Sequence, residues 1–70
     1  LSPVLVESIF RTLTELNRSG LTLLLVEQNV ARTLAFAHRA YVLENGRIVL
    51  HGEGPSLLHN DRVREAYLGI

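Results

Sequence analysis

Apolar residues fall at helical spacing in the first part of the chain. Leu5, Val6, Ile9, Phe10, Leu13 and Leu16 share one face, and Glu7, Arg11, Glu15 and Arg18 share the other. The spacing predicts a helix. Ser2-Pro3 supplies its start, because serine caps well and proline costs no hydrogen bond at the first helical position. Ser19-Gly20 supplies its stop. Glu7–Arg11 and Arg11–Glu15 are expected as pairs one turn apart along the polar face. The next run, Leu21 to Val26, does not alternate, and it predicts a short strand buried on both faces, as in a parallel sheet.

Glu27-Gln28-Asn29 breaks that run and can begin a second helix, whose apolar side is Val30, Ala31, Leu34, Ala35 and Ala37. His38-Arg39 is expected to place positive charge near the C-terminal end of this helix. Ala40 to Glu44 reads as a second strand, with a connection long enough for a right-handed crossover. Asn45-Gly46 is a two-residue hairpin signal leading into a third strand, Arg47 to His51. Gly52-Glu53-Gly54-Pro55 reads as a turn, with short helices over Pro55–His59 and Asp61–Leu68. The expected order is α-β-α-β-β-α-α, an α/β chain with an incomplete parallel sheet and a terminal hairpin. A strand buried on both faces needs neighbours that three strands do not supply. The chain is therefore expected to be part of a larger sheet, with a complete small domain as the alternative.

Composition narrows the classes. The 70 residues are 47% hydrophobic and 20% charged, which excludes a disordered chain. Seven basic residues balance seven acidic ones, for a net charge of zero, so no polyanion-binding surface is expected and nucleic acid is not an expected partner. There is no cysteine, hence no disulfide. No apolar stretch approaches a membrane span, and no signal peptide is visible.

Candidate chemistry is sparse. An apolar strand ending in Glu27 has the form of a nucleotide-hydrolase strand ending in a carboxylate, but most such strands end in an acid simply because they leave the core there. There is no Gly-x-x-x-x-Gly-Lys-[Ser/Thr] phosphate loop and no lysine at all. Ser2, Ser19 and Ser56 read as a cap, a helix end and a first-turn residue, with no nucleophile elbow among them. His38, His51 and His59 lack ligand spacing, so no metal site is expected. Tyr41, Tyr67, Phe10 and Phe36 read as packing residues. On residues alone the chain is part of a cytosolic α/β domain.

The order of these pieces resembles the C-terminal part of an ABC transporter ATP-binding subunit, a P-loop NTPase domain, over residues 1–70. Leu1-Ser2-Pro3 resembles the end of the D-loop. Val26-Glu27-Gln28-Asn29 resembles the switch strand and H-loop. Tyr41 to Val49 resembles the hairpin next in that order, and Gly52 to Pro55 and Arg64 to Gly69 resemble the ends of these subunits. Glu27-Gln28-Asn29 and Ala66-Tyr67-Leu68-Gly69 look most like an ATPase subunit of branched-chain amino-acid importers.

The resemblance implies a role for Gln28 at the switch position, where the family usually has a histidine that contacts the terminal phosphate. Glutamine can donate and accept there but cannot carry charge. Ser2 stands where the family usually has aspartate. In this register Glu27 is not the catalytic carboxylate. The implied parent hydrolyses ATP with Mg and pairs with a second ATPase subunit and a membrane permease. It lies in the cytoplasm, peripheral to the inner face of the membrane, and drives amino-acid import. The 70 residues alone are expected to bind neither ATP nor Mg and to be inactive, with self-association possible. The alternatives are a non-enzymatic α/β interaction module dimerising through its sheet edge and, more weakly, a small-ligand regulatory domain.

Overall fold

A computed structural model describes residues 2–70. Helix α1 spans Pro3–Arg18 and starts as its sequence dictates. The Ser2 side chain accepts a hydrogen bond from the Leu5 amide at 3.2 Å, and Pro3 occupies the first turn. It stops at Gly20, whose φ of 109° suits only glycine. The Asn17 amide donates to the Leu21 carbonyl at 2.9 Å as the chain leaves the helix.

Leu21 to Val26 does not form the expected strand. The only sheet among the described residues has two strands, β1 (Arg39–Glu44) and β2 (Arg47–Glu53), and they are antiparallel. The physical reason is that strand formation is a pairing event, and among the described residues no strand lies beside Leu21–Val26. Its side chains still alternate in exposure: Leu23 and Leu25 are half-buried, whereas Leu24 is 96% and Val26 89% exposed. The expected order thus becomes α-α-β-β-α-α, with neither a parallel sheet nor a crossover.

Helix α2 spans Val30–Phe36 and is capped by Asn29, whose side-chain oxygen accepts from the Arg32 amide at 3.2 Å. It ends sooner than expected. His38 lies beyond the cap and Arg39 opens β1, so no basic residue sits in its last turn. Asn45 and Gly46 both take positive φ, 52° and 76°, the geometry of a type I′ hairpin. Tyr41 faces His51 and Val42 faces Leu50, but Leu43 faces Ile48, so Val49 is an extra residue in a bulge.

The Gly52–Pro55 segment is not a free turn. β2 runs through Glu53, and α3 (Gly54–Leu57) begins at once; α4 (Asp61–Val63) comes next and passes into a π-helical turn, Arg64–Leu68. Gly54 is buried and packs so closely that a Cβ on it would lie 2.3 Å from the Ala37 carbonyl oxygen and 2.4 Å from that of Leu34.

The core is small. Leu34, Leu57 and Val63 form it, with Val30, Ala40, Leu50, Leu58, Tyr67 and Leu68 around them. Val63 is fully enclosed, which is worth about 1.5–3 kcal/mol for such a side chain. Helix α1 contributes one buried residue, Phe10; Val4, Leu5, Ile9 and Leu16 stay exposed. The accessible surface is 5484 Å², well above the roughly 4,400 Å² that a compact monomer of this mass exposes.

Candidate functional site

Ser2 and Pro3 sit at the N-terminus of α1, and Gln28 precedes the N-cap of α2; Leu1 lies outside the described residues. Gln28 is exposed at the end of the unpaired extended segment. Its backbone amide donates to the Glu27 carboxylate at 3.0 Å, and its side-chain amide, which can both donate and accept, makes no hydrogen bond among the described residues. Glu27 is exposed too, and its carboxylate is turned back on the chain rather than towards another acid or base. No hydrogen bond or ion pair joins Gln28 to Ser2 or Pro3 among the described residues.

The two helices are nevertheless tied. The Arg32 guanidinium donates to both oxygens of Glu7, from Nε at 2.7 Å and from Nη2 at 3.3 Å. The same guanidinium lies 4.5 Å from the centre of the Phe10 ring. Phe10 in turn meets Phe36 edge-on, with centroids 5.3 Å apart. This arrangement replaces the expected pairs Glu7–Arg11 and Arg11–Glu15, neither of which forms among the described residues. Nothing local in the sequence signals it, since Glu7 and Arg32 are 25 positions apart.

A second polar cluster closes the other end. The Tyr67 hydroxyl donates to Glu44, and Arg62 approaches the same carboxylate at 3.8 Å. The bond to Glu44, followed by desolvation, holds the Tyr67 phenol above its ordinary pKa. On the outer face of the hairpin, Arg39 lies 3.0 Å from His51 Nδ1, and Tyr41 stacks on His51 at 5.8 Å.

No cluster of three or more histidines, cysteines or acids that could hold a metal ion occurs among the described residues. The clefts beside α1 are open and shallow. Among the described residues, the places the resemblance singles out present an exposed carboxamide at Gln28 and a capped helix start at Ser2-Pro3.

Comparison with known proteins shows the family of the chain. Over 61 residues the chain is 36% identical to the lipopolysaccharide export system ATP-binding protein LptB of Klebsiella oxytoca, matching 87% of this chain and 90% of that one. The chain belongs to the ATP-binding subunits of ABC transporters. It is also 54% identical, over 99% of its length, to the high-affinity branched-chain amino acid transport ATP-binding protein BraG of Pseudomonas aeruginosa. It is 37% identical over 96% of its length to LptB of Escherichia coli. The chain spans 30% of the length of BraG and 28% of that of the Escherichia coli LptB. No family model matches it. No helix among the described residues of this ABC transporter ATP-binding chain is long and apolar enough to cross a membrane.

Proposed function

We propose that residues 1–70 form the C-terminal part of the nucleotide-binding domain of an ATP-hydrolysing subunit. They carry the D-loop end at Leu1, Ser2 and Pro3, the switch strand with its H-loop position at Gln28, and the terminal hairpin and helices. In the intact domain, Leu21–Val26 joins the parallel sheet that its composition expects. ATP and Mg are held by parts of the subunit outside these residues. The chain's own contribution is the Gln28 carboxamide, which senses and positions at the terminal phosphate without carrying charge. The subunit pairs with a second ATPase subunit and a membrane permease at the inner face of the membrane, and the transported substrates are branched-chain amino acids.

The observation that carries the substrate class is the 54% identity to BraG along the whole chain, against 37% to LptB of Escherichia coli over a similar span. The test is made in the intact subunit. Gln28→Ala is expected to lower turnover about ten- to hundredfold, the rate equivalent of a hydrogen bond to a charged group made only in the transition state. Nucleotide affinity is expected to stay nearly unchanged. Gln28→His is expected to keep much of the activity, and Glu27→Gln to be mild. If Glu27→Gln abolished hydrolysis and Gln28→Ala did nothing, Glu27 would be the catalytic carboxylate and the register would be wrong. Uptake of labelled leucine, present with the wild-type gene and absent without it, separates amino-acid import from lipopolysaccharide export.

A further inference from the structure

We propose that Arg32 is a positioning residue that sets Gln28 relative to Ser2 and Pro3 by clasping the two helices that carry them. The inference rests on the switch reading of Gln28 and adds to it the residues that hold that position in place.

Four observations support it. The Gln28 side chain makes no hydrogen bond among the described residues, and the first fixed element after it is α2, capped by Asn29. Arg32 lies in the first turn of α2, and its amide is the one Asn29 caps, so its backbone is tied directly to the residue after Gln28. Its side chain reaches across to Glu7, in the second turn of α1, with both forks of the guanidinium engaged. Finally, α1 has little else to hold it, since Phe10 is its only buried residue and most of its apolar face is uncovered.

The chemistry of the clasp is specific to arginine. A guanidinium can donate two parallel hydrogen bonds to one carboxylate and lie over an aromatic face at the same time. Here it does both, to Glu7 and to Phe10. Lysine keeps the charge but can reproduce neither the fork nor the planar overlap. The two contacts constrain different motions. The ion pair sets how far the α1 start can slide along α2, and the ring contact sets the rotation of α1 about its axis. Because Ser2 and Pro3 open α1, and Gln28 leads into α2, both segments inherit that geometry.

The test uses the full-length subunit. Arg32→Ala and Arg32→Lys are expected to lower kcat about tenfold, with KM for ATP within about twofold and thermal midpoint little changed, because the pair is partly exposed. In the nucleotide-free subunit, Arg32→Ala is expected to speed amide exchange at residues 28–33 and in the first turns of α1, and to leave β1 and β2 unaffected. The exchanged pair Glu7→Arg with Arg32→Glu should recover part of the lost kcat. Combined with Gln28→Ala, Arg32→Ala should add almost nothing, since it acts through Gln28. If Gln28→Ala lowers kcat but Arg32→Ala does not, or if their effects simply add, the clasp is overturned while the switch reading stands. If Gln28→Ala itself has no effect, the switch reading fails. A loss from Arg32→Ala that tracks the fall in thermal midpoint, with no change in local exchange, would make Arg32 a stability residue only and would also overturn the proposal.

Discussion

Tyr67 donates its hydroxyl proton to Glu44, joining the last turn of the chain to the end of β1 across 23 positions of sequence. The contact closes the core from outside, because Tyr67 and its neighbour Leu68 also pack against the cluster around Val63. Ionising this tyrosine would break the hydrogen bond it donates to Glu44, and that bond, followed by desolvation and the nearby carboxylate charge, raises its pKa.

That direction fixes a pH dependence. The contribution of the Tyr67 hydroxyl to stability is fully present below the ordinary tyrosine value of 10.0 and is lost as pH rises through the raised folded value. Denaturant midpoints measured from neutral to strongly alkaline pH should fall more steeply for the wild type than for Tyr67→Phe between the ordinary value of 10.0 and the raised folded one. Equal slopes would mean that Tyr67 does not hold this bond in solution.

Gly54→Ala should destabilise the chain by about 1–3 kcal/mol, the usual cost of forcing extra volume into a packed site. The added methyl would meet two backbone carbonyls, of Ala37 and Leu34, and backbone cannot swing aside as a side chain can. Gly46→Ala is the comparison: it has open space around it, and its cost comes only from positive φ. Urea denaturation of both variants separates crowding from backbone strain.

Leu24 yields a prediction whose outcome depends on context. In the isolated chain Leu24→Glu should change stability by no more than about 0.5 kcal/mol, as expected of an exposed position. It should also reduce self-association, since an unpaired apolar segment is a template for pairing. In the intact subunit the same change should cost several kcal/mol, because there the segment is proposed to lie inside the sheet. Sedimentation of the short chain and thermal denaturation of the full one measure the two arms.

The 70 residues alone should bind ATP no better than a generic protein surface does. They carry no phosphate loop and no lysine, so the loop and the cation that most often cradle a phosphate are both missing from their sequence. Calorimetry with ATP and Mg²⁺ tests this; micromolar, Mg²⁺-dependent binding would show a nucleotide site that these motifs do not describe.

How far the sequence can be read depends on the range of the interactions involved. Ser2-Pro3 and Asn45-Gly46 act within four residues, so the start of α1 and the hairpin are legible in the sequence alone. Leu21–Val26 has the composition of a strand, but strand formation needs a second chain segment alongside, and the described residues provide none. Gly54 reads as one more turn glycine, because a backbone approach from α2 leaves no mark on the residues around it. Gln28 can be singled out by its place in a motif, whereas the partners that brace its helix, Glu7 and Phe10, cannot. Their contacts with Arg32 cross from one helix to another and obey no local spacing.

The π-helical turn Arg64–Leu68 gives the end of the chain a tolerance that the rest lacks. A π turn is an α-helix that has taken in one residue too many and bulged to keep its later residues in line. The segment is closed by Gly69 in the left-handed conformation, with the Ile70 amide reaching back to the Arg64 carbonyl at 3.2 Å. Loss of exposed Ala66 would let the turn relax into ordinary α-helix and keep Tyr67 near Glu44. Near Gly54, by contrast, one added methyl is already too much. Removal of one residue from this turn is therefore expected to leave the core cluster in place, so the chain should accept a change of length here where it resists a single methyl at Gly54.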